Sequence, residues 1–238
     1  MPVLDPVAAY EQIAPVFAEL AQERRAYLEG VERLVIAGVP GSSSSLLDIG
    51  AGDGSRARRI AQSRGISELM LLEPAVAMQR GAGDIRTMRA EDLHTIESRF
   101  DVILCLWNVL GHVFPAAARI EALRQFARLL APHGKAFVDV AHRYNARHYG
   151  VASTAARFIH DLFAWREESG DVAVIWDVAG KRTITTGHVF THREFRSMCR
   201  SAGLNIERKF VLDYATGQER RWDFEGHLLY VLTPAIAS

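Results

Sequence analysis

Apolar and polar positions follow two rhythms along this chain. Between residues 6 and 37, Ile13, Phe17, Leu20, Tyr27 and Leu28 are spaced among acids and arginines as on a helix, and Pro15 predicts a break or kink. "GVPGSSSS" (38–45) ends that helix; its serines precede the next strand, so it reads as a loop and not as a phosphate cradle. Next come "SLLDI" as a short strand, "SRARRIAQSRG" as a helix closed by Gly65, "ELMLLE" as a strand and "VAMQRGAG" as a short helix. "IRTMRA" is a weakly patterned strand and "FDVILCLW" a strongly patterned one. "PAAARIEALRQFARLLAPHG" carries Ile120, Leu123, Phe126 and Leu130 as a helical stripe stopped by Pro132 and Gly134, before the strand "KAFVDVA". Strands alternating with helices imply a parallel sheet with helices on both faces.

Beyond residue 141 the rhythm changes. "VASTAARFIHDLFAWREE" predicts a helix, and "DVAVIWDVAGKRTITTGHVF" two strands around a turn at "AGK". "THREFRSMCRSAG" is a helix capped by Thr191, with Glu194 completing a capping box. "LNIERKFVLDY" and "HLLYVLT" close the chain as an antiparallel pair at one sheet edge. The expected fold is therefore α/β: a doubly wound, mostly parallel seven-stranded sheet with an antiparallel edge pair, amino-terminal helices and a helix-plus-hairpin insertion. One domain divides into a helical cap (1–40), a core (41–141), an insertion (142–190) and a closing helix with edge strands (191–238).

Composition narrows the partners. Lys+Arg and Asp+Glu both total 28 in 238 residues, and this neutral chain lacks the basic surface that grips a phosphate backbone. "GQERRW", with Arg220 and Arg221, reads as a charged turn and not as an RNA site. Cys105 and Cys199 are the only cysteines and form no disulfide or metal pattern; Cys105 reads as a core thiol. No apolar run reaches the roughly 18 residues of a membrane span, and "MPVLDPVAAYEQ" lacks a signal-peptide pattern, so a cytoplasmic protein is expected.

The chemistry concentrates in "LLDIGAGDGSRARRI" (46–60), where Gly50, Gly52 and Gly54 separate a strand from a helix. Such a turn lets backbone approach a ligand and presents unpaired helix amides. Glu73 ends the next strand, where an acid can accept from ribose hydroxyls. An adenosine-containing ligand is indicated, either NAD or S-adenosylmethionine. The third dinucleotide-type glycine is replaced by Ser55, and Asp48 would repel a pyrophosphate while attracting an ammonium.

At these residues the chain resembles the class I S-adenosylmethionine-dependent methyltransferases, whose fold is Rossmann-like. Asp48, Gly50, Gly52 and Gly54 match the family's acid-x-G-x-G-x-G motif, and Glu73 in "LMLLEPA" its ribose acid. "RAEDL" looks like its adenine-side acidic site, leaving Glu91 or Asp92 for that role, and "RFDVILCLWNVLGHV" like its fourth strand. "EFRSMCRSAGLNIE" resembles its final helix and strand, so the resemblance runs from about residue 10 to 232. It implies a methyltransferase using S-adenosyl-L-methionine and releasing S-adenosyl-L-homocysteine, with Ala51, Pro74, Leu106 and Trp107 completing the cofactor site. Trp107 either walls the adenosine or packs.

The sulfonium is an activated donor, so such an enzyme mainly aligns its acceptor, and a base is needed only where a proton must leave. His112 in "WNVLGHV" is the first candidate base, or else a packing residue. The ubiquinone-pathway O-methyltransferases carry E-x-x-E-H there for a metal; here Asn108 and Gly111 replace the carboxylates, so no metal is expected. "DVAHRYNARHYG" offers His142 and Tyr144 as catalytic candidates and Arg143 as an acceptor anchor, with Tyr10 and His188 as further acceptor contacts. The insertion and amino-terminal helices are expected to enclose a small-molecule acceptor, methylated on nitrogen or oxygen. The pattern [DN]-P-P-[YF] of base-amine methylating enzymes is absent; "LWNV" stands in its place. An RNA- or protein-modifying enzyme of this fold, a non-catalytic nucleoside-binding subunit and a nicotinamide oxidoreductase are the competing readings, and a homodimer is left open.

Overall fold

The computed structural model describes residues 2–178 and 180–235. The amino-terminal stripe folds as α1 (Pro6–Ile13), a 3-10 turn at Ala14–Val16, α2 (Phe17–Glu23) and α3 (Arg25–Gly38). The break at Pro15 is the expected one; a second at Arg24 is not. Burial explains it: α3 presses Tyr27, Val31, Leu34 and Val35 onto the sheet, whereas α2 buries no residue fully and swings out to wall a cleft.

The alternating segment gives β1 (Ser45–Ile49), α4 (Ser55–Arg64), β2 (Glu68–Leu72), β3 (Ile85–Arg86), β4 (Phe100–Cys105), α5 (Ala116–Leu129) and β5 (Leu130–Val140). "VAMQRGAG" forms only a 3-10 turn at Val76–Gln79. The helix α5 ends at Leu129, before Pro132 and Gly134, which lie inside β5. There β5 crosses close to β4, and a Cβ on Gly134 would stand 2.8 Å from the Phe100 carbonyl oxygen. After β5 follow α6 (Ala146–Tyr149), α7 (Val151–Ala164), the hairpin β6 (Asp171–Val178) and β7 (Lys181–His188), α8 (His192–Ser201), β8 (Leu204–Leu212), β9 (Glu219–Arg220) and β10 (His227–Pro234). The turn expected at "AGK" includes Ala179, which lies outside the described residues. Thr191 accepts from the Glu194 amide at 3.1 Å, the expected capping box.

The main sheet runs β3-β2-β1-β4-β5-β10-β8-β9, with β6 and β7 as a separate antiparallel pair. It has eight strands, not seven, because the short β9 pairs with the outer edge of β8. β1 is parallel to β2 and β4, and β4 to β5; β10 runs antiparallel to both neighbours. Strand order reverses between β1 and β4, the place where open α/β sheets hold ligands. One face of the sheet packs Phe126, Phe195 and Tyr230 beneath α5 and α8; the other packs Tyr27, Val31 and Phe137 beneath α3 and α4.

The tilt of α3 depends on one close backbone crossing. Gly217, at φ +64°, lies against the Ala26 carbonyl, and a Cβ there would collide with it. Gly217→Ala should therefore cost about 3 kcal/mol from clash and left-handed strain together, read as a lowered midpoint in urea unfolding.

Candidate active site

The glycine turn is built from the backbone outward. Gly50, Gly52 and Gly54 have φ of +74°, +58° and +72°, a region that a side chain disfavours. A Cβ on Gly50 would also meet the Val109 side chain at 2.5 Å. The amides of Gly50 and Ala51 both donate to the Leu72 carbonyl at 2.9 Å, tying the turn to the end of β2. Glu73 finishes the clamp: its Oε2 accepts from the Gly52 amide at 3.0 Å and its Oε1 from the Ala75 amide at 2.9 Å. Those bonds use two of a carboxylate's roughly four acceptor positions, leaving capacity toward the cleft that Glu73 lines. Burial pushes the Glu73 carboxyl up, and the two amides oppose that shift.

The cleft above this turn has a volume of about 680 Å³. Gly50, Ala51, Gly52, Glu73, Pro74, Glu91, Leu106 and Trp107 line it, and so do Tyr10 and His112. Of the two acids at "AED", Glu91 faces the cleft; Asp92 turns back to cap its own 3-10 turn, receiving the Arg89 amide. Trp107 and Asn108 hold left-handed backbone at φ +61° and +59°. Asp139 braces this end of β4: its Oδ2 accepts from the Trp107 amide at 3.0 Å and its Oδ1 from the Tyr27 hydroxyl at 2.6 Å.

On the opposite wall stands His112. Its Nδ1 donates to the Thr186 carbonyl at 3.0 Å, which leaves the Nε2 lone pair to accept from the Tyr10 hydroxyl at 3.2 Å. Burial pulls the His112 pKa below the usual imidazole value, so the ring is neutral near pH 7. Burial likewise raises the Tyr10 hydroxyl. Aromatic rings extend the wall: Trp176 lies 5.1 Å from Tyr10, and Phe17 lies 5.1 Å from Trp107. Among the described residues no group of three or more His, Cys, Asp and Glu could hold a metal ion, and no helix is long and apolar enough to cross a membrane.

A family model described as "Methyltransferase domain" matches residues 19–209. The chain belongs to the class I S-adenosylmethionine-dependent methyltransferases. A curated relative, the dTDP-3-amino-3,6-dideoxy-alpha-D-glucopyranose N,N-dimethyltransferase of Streptomyces fradiae, is 25% identical over 185 residues, covering 69% of this chain and 71% of its own. Among solved structures, an S-adenosylmethionine-dependent methyltransferase from Clostridium acetobutylicum ATCC 824 superposes with a TM-score of 0.64 at 12% identity, covering 95% of this chain and 99% of its own. The sugar N-methyltransferase KedS8 from Streptoalloteichus sp ATCC 53650 does so with a TM-score of 0.56 at 17% identity, covering 90% and 92%. These two likenesses are of fold.

Several residues singled out in the sequence lie elsewhere in this methyltransferase. His142, Arg143, Tyr144 and His188 do not line the cleft, because the chain after β5 pairs with the segment that follows the hairpin, His142 bridging to Phe190. His142 is buried, its Nδ1 donating to the Asp223 carbonyl at 2.8 Å, and burial pulls it down to about 4. Arg143 donates to Asp161 from Nε at 2.6 Å, and the Tyr144 hydroxyl donates to the same carboxylate at 2.7 Å. His188 is fully buried between Asp171, 2.6 Å from Nδ1, and Glu194, 2.8 Å from Nε2. Gly54 does not line the cleft either; it is the left-handed residue that starts α4. Asp48, read as facing the ligand, lies wholly beneath the turn at 0% exposure. Both its oxygens lack a hydrogen-bond partner.

The sequence reading missed Arg56. It lines the cleft from the first turn of α4, close enough to Asp48 to offset part of its burial, and its own Nε is buried without a partner. Its only signal was a cation two residues past the last glycine. Met88 and the inner sides of α2 and α3 were missed too, since helical periodicity marks core contacts and not cleft walls.

Burial raises the Asp48 carboxyl from 3.8 to about 6. The folded chain thus keeps a proton that the unfolded chain releases, and this site lowers stability as pH rises from about 4 through 6. Asp48→Asn should remove that penalty. Urea unfolding without ligand should show the variant more stable than wild type by on the order of 3 kcal/mol at pH 8, and level with it near pH 4.

Proposed function

We propose that this cleft binds S-adenosyl-L-methionine and directs its methyl group to a nitrogen or oxygen of a small-molecule acceptor, with S-adenosyl-L-homocysteine as the product. The carrying observation is the charge arrangement at the glycine turn: Glu73 and Arg56 line the cleft, and the Asp48 carboxylate lies beneath the turn with no hydrogen-bond partner. An orphaned buried charge is costly unless a ligand supplies its counter-charge. An amino-acid zwitterion suits both signs, its carboxylate toward Arg56 at the rim and its ammonium over the turn, where the Asp48 carboxylate beneath acts on it through the field and not by contact. A dinucleotide has no ammonium for Asp48. Glu73 would take the ribose hydroxyls, and Glu91 with Met88 and Leu106 the adenine. The bound cofactor supplies an activated methyl group.

His112 with Tyr10 forms the acceptor side. A neutral Nε2 can take the proton that an amine loses as it is methylated, but a depressed pKa makes it a feeble base for an alcohol. That favours nitrogen, in line with the N-methylating relative and the N-methylating structural neighbour. Enclosure supports a small acceptor over a polymer. The β6–β7 hairpin lies over His112 through Thr186 and over Tyr10 through Trp176, and α1 is latched by the Arg89–Asp5 ion pair at 2.9 Å. The hairpin half of 142–190 thus acts as the acceptor lid, on a core formed by 41–141. Two buried free thiols suit a reducing cytoplasm.

Calorimetry tests the cofactor half. S-adenosyl-L-homocysteine should bind saturably and NADH should not, and Glu73→Ala or Arg56→Met should each weaken binding by about 1–3 kcal/mol. Unchanged affinity in both variants would remove the assignment. The acceptor half is read by labelled methyl transfer into amine-containing metabolite pools. There, His112→Ala should lower turnover about 10²-fold with cofactor affinity within twofold. Wild-type turnover would leave His112 a packing residue.

A further inference from the structure

The helix α7 is turned inside out. Its charged residues face the protein: Asp161 receives Arg143 and the Tyr144 hydroxyl, and the Arg157 guanidinium lies 4.3 Å from the Tyr149 ring centroid. Thr154 is its only fully buried residue. Its apolar residues instead face solvent, with Val151 75% exposed, Phe158 50%, Ile159 57%, Leu162 63% and Phe163 87%, followed by Trp165 at 49%. Val151, Phe158, Ile159, Leu162 and Phe163 recur at helical spacing, so they form one stripe. None of them lines the cleft. Beyond these polar anchors only the Phe158 ring packs inward, edge-on to Tyr144 at 5.5 Å between centroids, and a 14-residue helix is marginal in water without an apolar face packed away.

We propose that this stripe is the contact between two copies of the chain, α7 packing on its counterpart about a two-fold axis. An uncharged stripe on one straight helix is complementary to itself, as a two-fold contact requires. Its size is also right: the exposed parts of these side chains amount to roughly 700–800 Å², close to the share of about 800 Å² that each partner gives a standard interface. A membrane surface fits less well, since such helices carry lysines and arginines along their polar face, and here Arg157 is turned inward against Tyr149. The inference is independent of the methyl acceptor.

Analytical ultracentrifugation at micromolar concentration tests it. The wild-type chain should sediment at twice its 26.5 kDa, and Phe163→Glu combined with Leu162→Glu at 26.5 kDa. Both positions are exposed, so S-adenosyl-L-homocysteine affinity should stay within twofold, which confirms folding. Hydrogen exchange on the wild type needs no variant: α7 amides should gain at least tenfold protection between 1 and 100 µM, on the concentration scale of a micromolar association. A wild-type monomer across that range, a variant that still dimerises, or a monomer that floats with anionic vesicles would each overturn the proposal.

Discussion

Everything at the cleft depends on a turn that only bare backbone can make. Three alternate residues adopt left-handed φ, and two adjacent amides converge on the Leu72 carbonyl. Without side chains at Gly50 and Gly52 the chain can fold that tightly, and Glu73 then locks the result by accepting from the Gly52 amide. One carboxylate therefore shapes the turn while facing the cleft. The same geometry seals Asp48 beneath the turn and starts α4 at Gly54, which places Arg56 at the rim. A looser turn would admit water to Asp48 and relieve the burial that raises its carboxyl.

The rest of the site is held by polar groups taken out of water for the purpose. Asp139 is buried, and burial holds its carboxyl up at about 6, yet its two bonds fix the left-handed end of β4 and the inner side of α3. The hairpin is tied by a related set of bonds. Asp171, His188 and Glu194 form a chain from β6 through β7 to α8, and Arg119, at 1% exposure, stands 3.8 Å from Asp171. The ring nitrogens of the fully buried His188 are both satisfied in this arrangement, and any other that left them unpaired would be penalised. The hairpin is thereby held where its Thr186 carbonyl sets the His112 tautomer.

What was legible in the sequence was local. The strand–glycine–helix junction, the acid ending β2 and the capping box at Thr191 are read within a few residues of each other, and each forms as expected. The residues that misled, His142, Arg143, Tyr144 and His188, are polar groups at the end of a strand, which is where a site would put them. Their destination is decided by pairings distant in sequence, such as His142 with Phe190 and Arg143 with Asp161. No periodicity encodes those. The break at Arg24 was hidden for a related reason: helical spacing runs unbroken through it, and only the distribution of burial separates α2 from α3.

Under the two proposals above, the insertion would combine a lid and a dimer contact, because its halves face opposite ways. The hairpin presents Thr186 and Trp176 inward to His112 and Tyr10, while α7 presents its apolar side outward. The two are joined by the short 3-10 turn Glu167–Gly170, directly before Asp171, the acid that meets His188 across the base of the hairpin. A helix docked on a second copy would restrain that turn from one end, and the hydrogen-bonded Asp171–His188–Glu194 chain restrains it from the other. The hairpin would then be stiff at its base.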